Sequence, residues 1–204
     1  MGAPEPAAEL AEGCLAVGHL GDQFGRQQIN PNAVGTYRRR CSLEKKQLLA
    51  LIEEGFQKPA WHGPNLRSAL RGVRAEEAAW RPSKGRHNIW EITVHAAYWK
   101  YTVTRRLTGN RKHDFPEKGR NWFVRGGAGL AKSEAAKLWR SDLELLTRTH
   151  KELCSAIEGL EPVDLMRPMQ GSHQTAIRNI MGIAMHDVYH AGQIQVLRKL
   201  YPKA

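Results

Sequence analysis

Cysteine is scarce: Cys14, Cys41 and Cys154 are the only three in 204 residues. An odd number so widely spaced builds no disulfide framework and no Cys-x-x-Cys metal knuckle, so a reducing, cytoplasmic setting is expected. Long apolar runs are lacking as well. No stretch approaches the ~20 uncharged apolar residues that a membrane helix needs, and no membrane partner is expected. The opening Met1-Gly-Ala-Pro-Glu-Pro6 has neither the basic region of a secretory signal nor the Ser or Thr at position 6 of a myristoylation sequence. Sustained apolar–polar alternation and internal repeats are absent too, which argues against strands and repeat arrays.

What the chain has in excess is positive charge, 31 Lys and Arg against 20 Asp and Glu, for a net +11. Four bases (Arg26, Arg38, Arg39, Arg40) and four acids (Glu5, Glu9, Glu12, Asp22) fall within residues 1–41 and cancel. The surplus therefore rests on the remainder. It favours encounters with anions, but net charge bears on solubility and association rather than on chemistry. No helix-turn-helix, zinc finger or Arg-rich recognition helix accompanies it, so no nucleic-acid partner is expected.

Residues 1–41, rich in Gly, Ala, Pro, Asn and Gln, read as a flexible N-terminal tail. Organised structure is predicted from residue 42 to 204. Ser42, with Glu44 in the first turn, caps a helix carrying Leu43, Leu48, Leu49, Ile52 and Phe56. A shorter helical segment, Leu66 to Trp80, ends before Pro82. Asn88 and Glu91 resemble a capping box that opens a helix from Ile89 to Leu107, closed by Gly109. Beyond a long Gly-containing loop, Ser133-Glu134 caps a helix that carries Leu138, Trp139, Leu146 and Leu153 and stops near Gly159. The last helix runs from about Thr175 to Leu200. Four amphipathic helices of this length imply an all-α, four-helix bundle.

Of the nine histidines, His19 lies in the tail and His62, His87, His113 and His173 fall in loops or near helix starts. His150 lies on an inner stripe with Leu146 and Leu153, as a hydrogen-bonded core histidine would. His186 and His190 differ. Four residues apart on the last helix, they lie one above the other, with Cβ atoms about 5–6 Å apart. Their stripe continues through Ala176, Ile180, Ile183, Ile194 and Leu197, the inward face. Two adjacent imidazoles there need partners, and a shared cation supplies one. Asp187 stands where a zincin protease has Glu, so zincin proteolysis is not supported. Asp187 is open to two readings, a partner or general base at the site, or a solvated helix acid. On the second long helix His95 shares a face with Ile92, Trp99 and Thr102, and a ligand from one helix with an i, i+4 pair from another converges readily in a bundle core. Three histidines leave a coordination position open, which marks a catalytic site rather than a structural one. Glu91, one turn before His95, either caps the helix or orients the second nitrogen of His95.

At these residues the chain resembles the DinB/YfiT-like superfamily. The resemblance runs from about Ser42 to Tyr201 and rests on "WEITVHAAYWKYTVTRRLTG", on "GIAMHDVYHAGQIQVLRK" and on the shorter "RAEEAAWRP". It implies an antiparallel four-helix bundle holding a divalent metal through His95, His186 and His190. Zinc, nickel and iron all suit imidazole ligands. It further implies a homodimer, a close helix contact at Gly192, and Gln193 capping or lining the site. Characterised relatives include transferases and isomerases dependent on low-molecular-weight thiols, and others are associated with hydrolysis.

The functional expectation is a metal-dependent enzyme, of thiol-dependent transferase or hydrolase type, acting on a small-molecule substrate. Trp90, Tyr98, Trp99 and Tyr189 are candidate pocket aromatics, and Arg105 and Arg106 candidate anchors for an anionic thiol conjugate. The alternative is a non-catalytic metal-binding bundle serving a stress response or an interaction. No residue stands out as the general base.

Overall fold

A computed structural model describes residues 45–110, 114–126 and 129–202. The expected tail, with Ser42 and Glu44, lies outside the described residues. Among those described, secondary structure is helical. Helix α1 covers residues 45–56, α2 Leu66–Leu70, α3 Ala75–Ala79, α4 Ile89–Thr108, α5 Lys132–Glu158 and α6 Ala176–Leu200, with a 3-10 turn at Pro162–Met166. None of these helices is long and apolar enough to cross a membrane.

Local chemistry explains most boundaries. The Asn88 side chain accepts the Glu91 amide at 2.8 Å, which opens α4, and Gly109 closes it. Two expectations need correction. The segment 66–80 is two short helices rather than one, because Arg71 is extended and Gly72 takes φ +76, a left-handed conformation that ends a helix. Helix α5 starts at Lys132 with Ala131 in the cap position, so Ser133 sits inside the first turn and caps nothing.

The long helices α1, α4, α5 and α6 form the bundle, two pointing each way. Lys45 of α1 donates to the Glu158 and Leu160 carbonyls at 2.9 and 3.0 Å, beside the end of α5, while Glu53 meets His150 one bundle layer on. These helices are therefore antiparallel. In contrast α4 and α5 run parallel: Trp90 at the start of α4 donates to Asp142 in the first half of α5, and Val103, Leu153 and Ile157 share one apolar cluster near their ends. The long loop between them carries the chain back along the bundle. Helix α6 opposes both, with Ile180 near Val103 and Ile194 near Ile89. A close approach between helices is at Gly55, where an added Cβ would stand 2.9 Å from the Ala184 carbonyl oxygen. Gly192 is exposed with open space around it and makes no such contact, contrary to expectation.

Two apolar clusters fill the bundle, one around Trp90, Leu146 and Ile194, the other around Ile52, Leu153 and Ile180. Between them lies a polar layer to which all four helices contribute: Glu53, His95 and Lys100, Thr149 and His150, and His186, Asp187 and His190. Buried polar side chains are costly unless partnered.

Candidate metal centre

His95, His186 and His190 meet at the interface of α4 and α6. Their candidate donor atoms all lie within 4.8 Å of one another. His186 Nε2 is 3.0 Å from His95 Nε2 and 2.9 Å from His190 Nε2. His95 and His190 are buried and His186 is half-buried, which makes it the ligand nearest to solvent.

The other ring nitrogens decide where the protons are. His95 Nδ1 lies 2.7 Å from the Asn121 carbonyl oxygen, which can only accept, so Nδ1 carries the proton and Nε2 a lone pair. His190 Nδ1 lies 2.6 Å from Gln193 Oε1, while Gln193 Nε2 donates to the Tyr189 hydroxyl. Again Nε2 is left with a lone pair. His186 Nε2 thus faces two acceptors with at most one proton to give, and its buried Nδ1 has no partner. Further protonation is opposed. Burial, reinforced by the neighbouring imidazoles, pushes His186 down to about 3. Burial likewise takes His190 to about 4 and lowers His95. Two lone pairs, those of His95 and His190, are fixed toward the cluster, and His186 supplies the third when its single proton sits on Nδ1, so the three nitrogens form a donor set for one cation. In a tetrahedral zinc site, nitrogens lie about 3.3 Å apart, close to the separations here, so the residues fit a metal.

Several neighbours were not legible in the sequence. Trp122 stacks on His95 with ring centres 3.8 Å apart and on His87 at 3.5 Å. Asn121 holds φ +69, and besides the His95 bond its Oδ1 accepts from Trp99 Nε1 at 2.9 Å. Both residues come from the loop between α4 and α5, in direct contact with His95 in space but more than twenty positions from it along the chain. Only an aromatic in a Gly-containing loop hinted at them.

Other expectations are corrected. Glu91 does not orient His95. It is buried beside Arg81, with His87 Nδ1 at 3.0 Å and the Arg125 amide at 3.3 Å, and these partners hold its carboxyl below the usual range against the upward push of burial. Glu91 so anchors the stack of His87, Trp122 and His95. Asp187 is not a solvated acid: it is fully buried and paired with Lys100, itself fully buried. Trp90 is core, donating to Asp142 at 2.6 Å, and Tyr98 packs on Phe115 and Phe123. Trp99 and Tyr189 do flank the imidazoles, 6.4 Å from His95 and 5.1 Å from His190 between ring centres. Arg105 donates to the hydroxyl of Tyr101 at the far end of α4. Gln193 meets its expectation by fixing His190.

Comparison with curated proteins and with solved structures gives no significant match. The family model of the DinB superfamily, however, matches residues 60–194, more than half of the chain. That span holds all three imidazoles together with most of the helical bundle, and the chain belongs to the DinB superfamily.

Proposed function

We propose that the protein is a metal-dependent enzyme of thiol-dependent transferase or hydrolase type, acting on a small molecule. His95, His186 and His190 hold a divalent transition metal, zinc, nickel or iron. The observation that carries this reading is the convergence of three Nε2 atoms, two of them with lone pairs aimed by Asn121 and Gln193. A bound divalent ion lowers the pKa of a water or thiol and polarises an electrophile. The chain's own contribution is to orient the donors, to exclude water on the buried side with Trp122 and Trp99, and to leave His186 nearest to solvent. Met181, Met185, Tyr189 and Val196 form an exposed apolar stripe on α6, the helix of His186, which supports a homodimer built on this face. The three cysteines support a reducing, cytoplasmic setting.

Metal-loaded protein assayed with several low-molecular-weight thiols and electrophiles, and with simple esters and amides, should turn over at least one class. Turnover should vanish on metal removal and in His186→Ala. The alternative is a non-catalytic metal-binding bundle, and a cleft of about 890 Å³, lined by Trp90, Arg125, Asp142 and Leu145, lies apart from the three histidines. Absence of turnover by a metal-loaded protein across that panel would move the assignment there.

The backbone at Asn121 supplies a sharper check on how the site is held. A β-branched residue is strained at φ +69, so Asn121→Val displaces the carbonyl that fixes His95 and is expected to weaken metal binding about 10–100-fold. Asn121→Gly keeps the conformation and should bind within a few-fold of wild type. Chelator competition measures both, and unchanged affinity in Asn121→Val contradicts the role.

A further inference from the structure

The polar layer has a second group of metal-ligating side chains on the opposite side of the bundle, between α1 and α5. His150 and Cys154 stand four residues apart on α5, and Glu53 reaches them from α1. The three candidate donor atoms lie within 4.8 Å of one another. Glu53 Oε1 is 2.9 Å from His150 Nε2 and 3.6 Å from Cys154 Sγ, and His150 Nε2 is 3.5 Å from Cys154 Sγ. From the bond lengths of tetrahedral zinc, nitrogen and oxygen ligands lie about 3.4 Å apart and sulfur about 3.6 Å from either. The observed triangle has nearly those sides.

We propose that Glu53, His150 and Cys154 form a second metal site, for zinc or another thiophilic divalent cation. Its composition differs from that of the three-imidazole cluster. Once the thiol is deprotonated, the donors carry two negative charges and one neutral imidazole, which a divalent cation neutralises inside the bundle. Thiolate selects soft or borderline ions. The surroundings orient the donors. Glu53 Oε2 is held by Gln57 at 3.0 Å and faces Lys58 at 3.6 Å, which leaves Oε1 to face the cluster. The His150 ring stacks on Phe56 at 3.8 Å. Glu53 and Cys154 are half-buried, so a cation reaches them from the side of the bundle. Binding releases one proton, that of the Cys154 thiol, to solvent. The imidazole keeps its proton, which moves from Nε2 to Nδ1; no partner at Nδ1 locks the tautomer. The family match begins at residue 60, so Glu53 lies outside it and His150 and Cys154 within. The cation would thus clamp α1 to the rest of the bundle.

Cobalt(II) substitution tests this independently of the first site, because only a thiolate ligand gives an intense near-ultraviolet sulfur-to-cobalt band. The background is Cys14→Ser/Cys41→Ser, in which Cys154 is the remaining thiol. The expected result is a band that saturates with cobalt, persists in His186→Ala, disappears in Cys154→Ser and needs at least tenfold more cobalt in Glu53→Gln and His150→Gln. No band at saturating cobalt overturns the proposal. A band indifferent to both Glu53→Gln and His150→Gln also overturns it, since it reports an adventitious ion on a thiol only.

Discussion

Replacing Lys100 with methionine is expected to destabilise the protein by about 3–5 kcal/mol at neutral pH, the usual cost of stranding one partner of a buried ion pair. Lys100 and Asp187 have no exposed side-chain surface, and Asp187 Oδ1 has no hydrogen-bond partner even with the lysine in place. Burial already pushes the Asp187 carboxyl above its usual range, opposed by Lys100. Without the ammonium the carboxylate must either stay charged in the core or take up a proton, and both destabilise the fold. The double change Lys100→Met/Asp187→Asn removes the charge as well as its partner and should recover most of the loss. Urea unfolding of the three proteins decides it. A single-variant loss below about 1 kcal/mol, the range of an exposed pair, would show that the pair is solvated.

The pair also explains why the polar layer persists in an otherwise apolar bundle. Asp187 follows His186 directly on α6, and Lys100 lies five residues after His95 on α4. Locking one to the other fixes the relative register of the two helices that present the imidazoles. The Lys100 Nζ also stands 5.0 Å from the Phe56 ring, which stacks on His150, so the same cation reaches toward the second cluster.

The second large effect concerns the imidazoles themselves. Truncating His95, His186 or His190 to alanine is expected to weaken metal binding at the α4–α6 interface by at least about a hundredfold, more than the 10–100-fold typical of a supporting residue. The exposed His173→Ala serves as a control and should change nothing. Because Glu53, His150 and Cys154 are proposed to hold a second cation, the comparison belongs in a Cys154→Ser background, where one ion per chain is expected. Equal affinity in all three truncations and the control would remove the site from consideration.

Much of this arrangement was legible in residue order. The i, i+4 spacing of His186 and His190 on an apolar stripe pointed inward, and His95 shared its stripe with Ile92; both readings depend only on helical periodicity. Asn88 and Gly109 marked the ends of α4 because capping is local chemistry. The rest depends on contacts distant in sequence. Asp187 stayed open between a partner or base at the site and a solvated acid, and Lys100 carried no signal, because nothing in either segment reveals that they face each other. Asn121 and Trp122 belong to a loop whose path is set by the parallel run of α4 and α5, a topological fact without a local signature. Cys154 looked isolated because its partners are an imidazole one turn away and a carboxylate on another helix. The break at Gly72 was missed for a different reason: a single glycine within a helical pattern is often tolerated.

The central claim is that three imidazoles from α4 and α6 share one cation. X-ray absorption at the metal edge of Cys154→Ser protein carrying one zinc per chain addresses it most directly. Three imidazole nitrogens at about 2.0–2.1 Å are expected, with the imidazole scattering signature reduced in His95→Ala. A shell of oxygen atoms without that signature, or one unchanged in His95→Ala, would contradict the account.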